Sequence, residues 1–123
     1  IEIEAEVLDG KVTGLRDYVR TKDFSEEMID FEKIAGPLEV RLRKKGDTFN
    51  PLGARGSCKL KKFFIDSKVP RTVRDRVPIL WDGNKIVWVV GYRIGDDVKI
   101  TDETKHVLKL RIRRLGEGPS NAP

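Results

Sequence analysis

The 123-residue sequence contains one cysteine, one histidine and one methionine, and only 7% of its residues are aromatic. The single cysteine, Cys58, excludes an internal disulfide framework and is typical of a reducing compartment, so we expect a cytoplasmic protein. With His106 as the lone histidine, the sequence has too few soft ligands for a structural zinc site. No apolar stretch approaches the roughly 18 residues of a membrane span, and no signal segment opens the chain, so we expect no membrane partner.

The same scarcity argues against catalysis by this chain. A nucleophilic pair would need Cys58 beside His106, and nothing in the sequence brings these distant residues together. The glycine-rich loop from Gly53 to Lys59 is not a nucleotide P-loop, because only two residues separate its glycines and Ser57 stands where the P-loop lysine belongs. We therefore expect no catalytic residue, no metal site and no cofactor in this chain.

Charge is what the sequence has in excess: 37% of the residues are charged, against a usual share of about 25%, and the net charge is +5. Residues 1–36 sum to −5, residues 37–95 to +9 and residues 96–123 to +1. Twelve Lys or Arg and three Asp or Glu fall between Arg41 and Arg76, so this basic block holds the whole +9. A block of this size predicts a polyanionic partner, and the alternative is a solvated surface with scattered cations.

Hydrophobic periodicity predicts a small α+β domain of about seven short strands and two short helices over residues 1–115, followed by a flexible tail at 116–123. Alternating patterns predict strands at 1–7, 38–43 and 107–113, a hairpin joins 79–81 to 85–90, and a further short strand is expected at 98–100. Residues 11–27 indicate a loop with a short strand near Tyr18, and residues 28–34 fit either a strand or a helical turn. A bend is expected at 91–95 and one capped helical turn at 101–104. The first helix is expected after Ser57 as its N-cap, with Leu60, Phe63 and Phe64 on one stripe, and the second begins near Pro70.

The loop before the first helix predicts a seat for phosphate. The backbone of Gly53, Gly56 and Ser57 is expected to contact the phosphate, because glycines let an anion approach the backbone closely and a helix start presents free N–H groups. The side chains expected to bind nucleic acid are Arg55, Lys59 and Lys62 at this seat, Arg71, Arg74 and Arg76 on the second helix, and Arg43, Lys44 and Lys45, together with Arg41, as an extension. Two acids are expected to compete with phosphate for these cations: Asp66 can pair with Lys62, and Asp75 can pair with Arg71. A tight turn alone remains the competing interpretation of the glycines.

The aromatic residues are expected to pack in the core. Phe63 and Phe64 extend an apolar helical stripe, and Trp81 and Trp88 lie in apolar strands, so none of them indicates a platform for stacking bases. Without such a platform, the partner is expected to be a duplex held by its phosphates.

These residues also carry a resemblance. The segments Phe49–Asp66, Lys68–Pro70, Arg74–Pro78 and Ile86–Ile94, within a match from about Ile34 to Leu110, resemble the C-terminal domain of bacterial tRNA(Ile)-lysidine synthetase. Two positions depart from the family pattern: Cys58 stands where the family usually has lysine, and Lys62 stands where an acidic or small polar residue is common.

The resemblance implies a fold similar to a domain of the phenylalanyl-tRNA synthetase β subunit. It also implies an appendage that holds the acceptor-stem side of tRNA(Ile) with a CAU anticodon. In the family, a separate N-terminal domain with a Ser-Gly-Gly-x-Asp-Ser loop uses ATP, with Mg²⁺ expected, to join lysine to the wobble cytidine. That loop is absent here and the chain begins at Ile1, so we expect a non-catalytic part of a longer enzyme, whose own catalytic domain is a further partner. The competing hypothesis is a protein-interaction module, in which the acidic first third binds the basic block of a second copy to form a homodimer.

Overall fold

A computed structural model describes residues 2–8 and 25–113 of the chain. Its strands are β1 (Glu2–Leu8), β2 (Glu26–Asp30), β3 (Glu39–Arg41), β4 (Thr48–Phe49), β5 (Cys58–Lys59), β6 (Ile79–Trp81), β7 (Ile86–Val89), β8 (Arg93–Ile94) and β9 (Val107–Arg113). Its helices are α1 (Leu60–Asp66) and α2 (Arg71–Arg74), with 3₁₀ turns at Phe31–Lys33 and Asp96–Val98. The predicted α+β domain, rich in short strands and with two short helices, is confirmed.

The strands form two main antiparallel sheets, ordered β1-β9-β2 and β3-β6-β7-β8, and β4 pairs with β5 as a short ribbon that leads into α1. The predicted hairpin is confirmed, because β6 pairs with β7. Its register shifts between Leu80 and Trp81, which makes Val87 the extra residue of a bulge. Val87 and Trp88 therefore both pack toward β2 and β9, while Ile86 and Val89 pack toward α1.

Two hydrophobic clusters hold these layers together. The sheet cluster, between the two sheets, contains Ile29, Leu80, Val87, Trp88, Val90, Ile94, Val98, Leu108 and Leu110. The helix cluster, between the four-stranded sheet and the helices, contains Phe49, Leu60, Phe63, Phe64, Val69, Val77, Ile79, Ile86 and Val89. Strand β7 is covered on both faces, which explains why its sequence is continuously apolar and does not alternate.

A buried carboxylate fixes the hairpin turn between β6 and β7. Asp82, whose side chain is fully buried, accepts hydrogen bonds from the backbone N–H groups of Ala35, Asn84 and Lys85 at 2.8, 2.9 and 2.9 Å. The ammonium group of Lys85 donates a fourth bond at 2.8 Å. Burial alone would raise the pKa of Asp82, but these donors together lower it from 3.8 to about 2. The turn residue thus also ties the segment before β3 to the hairpin.

Helix α1 begins later than its sequence suggests. The N-cap is Lys59, which makes no side-chain capping bond, so the expectation that Ser57 caps the helix is wrong. Cys58 and Lys59 are extended because they pair with Phe49 and Thr48. The strand pairing keeps residues 58 and 59 out of the helix.

The C-terminal end of α1 is a Schellman motif built without glycine. The N–H of Val69 donates to the Phe64 carbonyl at 2.9 Å and the N–H of Lys68 donates to the Ile65 carbonyl at 3.0 Å. Lys68 has φ of +57°, in the left-handed region. Val69 and Phe64 are both buried in the helix cluster, so their packing maintains this backbone against the conformational cost at Lys68.

Several local expectations are corrected. Residues 98–100 do not form a strand, because the chain turns at Asp96–Val98 to bury Val98. The expected bend at 91–95 contains β8, and residues 28–34 combine the end of β2 with a 3₁₀ turn. Residues 101–104 form a turn closed by Thr101 and Thr104, without a helix. The expected strand near Tyr18 and the tail at 116–123 lie outside the described residues.

Candidate nucleic-acid interface

The three acids of the basic block each bind a different cation. The pairs are Arg41 with Asp47 at 3.1 Å, Lys62 with Asp66 at 2.7 Å and Arg43 with Asp75 at 2.8 Å. The expected pairing of Lys62 with Asp66 is confirmed, and the Asp66 carboxylate raises the pKa of Lys62. The expectation that Asp75 pairs with Arg71 is wrong, because the Asp75 carboxylate binds Arg43 from the end of β3.

The other cations of the block make no ion pair within the described part of the chain. They are Lys44, Lys45, Arg55, Lys59, Lys61, Lys68, Arg71, Arg74 and Arg76, nine in all. Eight are exposed, and Arg74 is half-buried with its Nε donating to the Val69 carbonyl at 2.8 Å. The +9 of the block therefore corresponds to nine side chains that form no ion pair with any described residue.

Specific contacts join three of the segments that carry these cations, namely the turn with Lys44 and Lys45, α1 and the end of α2. The N–H of Leu60 donates to the Asp47 carbonyl at 2.9 Å, which joins the turn of Lys44 and Lys45 to the start of α1. Arg43 lies with its guanidinium 5.6 Å from the ring centre of Phe64 while it binds Asp75, which joins the end of β3 to α1 and the end of α2. The basic segments are thus anchored on the helix cluster.

Arg41 is a structural residue. Its guanidinium makes two bonds of 3.1 Å to the Asp47 carboxylate and lies 4.4 Å from the centre of the Trp81 ring. Burial opposes ionisation of Asp47, but the bonds from Arg41 and from the Lys44 N–H lower the pKa of Asp47. With only 10% of its side chain exposed, Arg41 is poorly placed to extend a binding surface.

The expected phosphate seat is built differently from the prediction. The Gly53 N–H donates to the Asp96 carboxylate at 3.1 Å, so a protein anion already lies where a phosphate was expected. This bond, helped by Lys99, lowers the pKa of Asp96 although burial opposes it. The Leu60 N–H at the helix start is also engaged, while Gly56 and Ser57 are exposed. Two N–H groups of the expected seat, those of Gly53 and Leu60, therefore already have acceptors within the chain.

The aromatic side chains lie largely where the sequence predicts. Trp88 and Phe64 are fully buried and Phe63 is 4% exposed, so they belong to the core. The Arg93 guanidinium lies 5.7 Å from the Phe63 ring centre. Trp81 is the exception, because it is only half-buried.

Sequence reasoning did not single out Lys61 and Lys68. Both are exposed and lie on α1 or directly after it. The signal for them was present, because the block has twelve cations and only three acids, so its own acids can pair with only a minority of its cations.

Several acids of the first third form ion pairs with strand β9. Glu2 and Glu4 of β1 lie 4.0 and 3.5 Å from Arg113 of β9, and Glu26 of β2 lies 3.7 Å from Arg111. These residues share the polar face of the three-stranded sheet through its antiparallel register. Three of the acids invoked for a homodimer, Glu2, Glu4 and Glu26, therefore already have partners within their own chain.

No arrangement for catalysis or metal binding is found among the described residues. His106 places its ring nitrogen Nδ1 3.1 Å from the Glu32 carboxylate, on the side of the sheet cluster, whereas Cys58 packs against the helix cluster. The described ranges contain no group of three His, Cys, Asp or Glu residues arranged to hold a metal ion. None of the helices described has the length and apolarity needed to cross a membrane.

Comparison with known proteins identifies the family. Residues 38–113, more than half of the chain, match the family described as the TilS substrate C-terminal domain. The chain belongs to this family. The matched range contains the entire basic block, both helices and the four-stranded sheet.

Relatives and solved structures agree with this assignment. The chain is 47% identical over 91 residues to tRNA(Ile)-lysidine synthase of Clostridium tetani, covering 74% of this chain and 20% of the relative. It is 45% identical over 98 residues to the enzyme of the same name from Caldanaerobacter subterraneus, covering 76% and 21%. The chain therefore spans about a fifth of the length of these relatives.

Two solved structures are similar in fold. The crystal structure of a TILS C-terminal domain matches with a TM-score of 0.69 at 28% identity, covering 89% of this chain and 80% of that one. An N-terminal fragment of the phenylalanyl-tRNA synthetase β subunit from Pyrococcus horikoshii matches with a TM-score of 0.71 at 17% identity, covering 89% and 38%. The second likeness supports the predicted fold and nothing more.

Proposed function

We propose that this chain is the tRNA-holding C-terminal part of a tRNA(Ile)-lysidine synthase in the cytoplasm. It binds the acceptor-stem side of tRNA(Ile) with a CAU anticodon, while the catalytic domain of the same enzyme joins lysine to the wobble cytidine with ATP and Mg²⁺. The chain itself contributes binding and no catalytic residue. The names and lengths of the relatives support this division of labour.

The observation that carries the proposal is the set of nine cations without an acidic partner. Cations that are neutralised within the fold gain little from a phosphate, because the local acid must first be displaced. Unpaired exposed Lys and Arg release counterions when they bind phosphate, which supplies most of the affinity of such surfaces. The concentration of these cations over the helix cluster favours one continuous partner.

Within this surface, the paired cations are secondary. Lys59 and Arg55 make the main phosphate contacts, and Lys61 and Lys68 add contacts on α1 and directly after it. Further contacts come from Arg71, Arg74 and Arg76 on and after α2, and from Lys44 and Lys45 in the turn after β3. Lys62 and Arg43 join only when Asp66 and Asp75 release them. The burial of Phe63 and Phe64 supports a duplex contacted through its phosphates.

The test is titration of the chain with a transcript of tRNA(Ile) carrying the CAU anticodon at several salt concentrations. If about four to six phosphates are neutralised, the logarithm of the association constant falls with the logarithm of salt concentration with a slope of roughly −3 to −5. Lys59→Gln is expected to weaken binding and to reduce the steepness of the slope by about one. The matched control is Lys105→Gln, which makes the same charge change at an exposed residue outside the block.

A flat salt response, or equal losses in Lys59→Gln and Lys105→Gln, would contradict the proposal. Light scattering with and without the tRNA separates it from the interaction-module hypothesis. A salt-resistant dimer that shields the basic block would favour the module instead.

A further inference from the structure

A cleft lies beside the basic block, and the proposed function does not involve it. It lies between residues 46–50 and the hairpin turn after β6, and has a volume of about 260 Å³. Its lining includes Phe49, Asn50, Ser57, Trp81 and Asp97. This Trp81 cleft is slightly smaller than the roughly 300–1,000 Å³ of sites for drug-sized ligands, so it suits a planar group of one or two rings.

Phe49, Trp81 and Ile86 form the apolar part of the cleft lining. Phe49 is 2% exposed and Ile86 is 4% exposed, so both belong to the packed helix cluster. Trp81 is half-buried, and the Arg41 guanidinium lies 4.4 Å from its ring centre, held there by the two bonds to Asp47. Arg41 covers one face of the Trp81 ring, and the part of the ring that lines the cleft is held in place, so a planar group can pack against it at little entropic cost.

The rim of the cleft offers hydrogen-bond acceptors. The Asn50 amide donates from Nδ2 to Oδ1 of Asp97 at 2.7 Å. The Asp97 carboxylate is exposed, and its Oδ2 accepts no hydrogen bond from any described residue. A carboxylate at the rim favours a ligand that donates N–H groups and disfavours a phosphate inside the cleft.

The position of the cleft links it to the basic block. Gly46 and Ser57 line it, and they lie one or two residues from Lys45 and Lys59. The segments that line the cleft thus also carry unpaired cations, which favour a ligand with an attached phosphate.

We propose that the Trp81 cleft binds one unpaired nucleobase that carries an exocyclic amino group, belonging to the RNA held by the nine cations. The base stacks against Trp81 and its amino group donates to Asp97, while its sugar and phosphate stay outside near Lys45 and Lys59. Adenine, cytosine and guanine satisfy this requirement and uracil does not, because it has no exocyclic amino group. The inference rests on the proposed function, since the basic block must hold the RNA.

The experiment compares three short RNA hairpins with identical stems: one blunt, one with unpaired 3′ adenosines and one with unpaired 3′ uridines. Binding is followed by NMR of the two indole N–H groups, with Trp88, which is fully buried, as internal reference. The adenosine overhang is expected to shift the Trp81 resonance and to bind about five-fold or more tighter than the blunt hairpin. The uridine overhang is expected to gain less.

Variants test the cleft directly. Asp97→Asn is expected to lower the affinity for the adenosine overhang to that for uridine, whereas Asp102→Asn, the same change at an exposed acid that does not line the cleft, preserves the difference. Asn84→Phe, at an exposed residue that lines the cleft and lies outside the basic block, is expected to abolish the overhang effect without weakening the blunt hairpin.

The outcomes separate the inference from the function beneath it. If the blunt hairpin binds with a steep salt dependence and the overhangs add nothing, the cleft inference is wrong and the proposed function stands. If no hairpin binds, both are wrong. A Trp81 shift that persists unchanged in Asp97→Asn would overturn the assignment of the amino group.

Discussion

Replacing Asp82 by asparagine removes a charge that four donors surround. Its Oδ1 accepts from the N–H groups of Asn84 and Lys85, and its Oδ2 accepts from the Ala35 N–H and the Lys85 ammonium. An asparagine keeps one oxygen for the turn but presents an NH₂ group to the two remaining donors. We expect Asp82→Asn to lower the free energy of unfolding by about 3 kcal/mol at pH 7, because two bonds are lost and buried donors are left without an acceptor.

The pH dependence gives an independent measure of the same site. A pKa of about 2 in the folded chain, against 3.8 as the ordinary value, corresponds to about 2 kcal/mol. Because the folded pKa is the lower one, Asp82 contributes this stability above pH 3.8 and loses it as the pH falls toward 2. Asp47 and Asp96 also have lowered pKa values and add to the acid sensitivity. The difference between wild type and Asp82→Asn removes their contribution.

The assay is urea unfolding followed by circular dichroism between pH 7 and pH 2.5. The stability gap between wild type and Asp82→Asn is expected to be constant from pH 7 to about pH 5 and to narrow below pH 4. Lys85→Gln, which removes only the ammonium donor, should give a smaller loss and serves if Asp82→Asn does not fold. A gap that stays constant down to pH 2.5 would refute the account of Asp82 as an ionised acceptor.

Three further predictions use α1 and its ends. Lys68→Gly should raise the free energy of unfolding by about 1 kcal/mol in thermal unfolding, because φ at +57° carries no penalty for glycine; destabilisation would contradict the strain at Lys68. Phe64→Ala should lower that free energy by about 3–5 kcal/mol in urea unfolding, since the ring is fully buried; a loss below 1 kcal/mol would contradict its place in the core. Asp66→Asn should tighten tRNA binding about two- to five-fold in a filter-binding assay, because it frees Lys62 for phosphate; unchanged affinity would remove Lys62 from the surface.

Regular patterns in the sequence predicted most elements of the fold. The alternation at 107–113 predicts β9 and that at 1–7 predicts β1, because one face of each strand is buried and the other is not. The hairpin around Asp82-Gly83-Asn84 was predicted from turn chemistry. Predictions for short segments were wrong where a tertiary contact outweighs the local preference. The predicted strand at 98–100 is an example, because a 3₁₀ turn buries Val98 instead.

The candidate site likewise has one property that the sequence predicts and another that depends on the fold. The excess of nine cations is a property of the sequence, since twelve basic residues face three acids between Arg41 and Arg76. Which cations remain unpaired depends on contacts across many residues. Asp75 could pair locally with Arg71, but the fold brings Arg43 to it from 32 positions away.

The sequence by itself determined the excess of positive charge between Arg41 and Arg76, because net charge and its position along the chain are fixed by composition whatever the fold. It also determined the core, since the long apolar side chains of α1 and β7 have no other place to be buried. Only the tertiary structure decided that Gly53 meets Asp96 where a phosphate was expected, that Glu2 and Glu4 of β1 lie beside Arg113 of β9, and that Trp81 remains half-exposed beside a cleft. These outcomes depend on pairs of residues far apart along the chain, and a pattern of near neighbours contains no information about their distances.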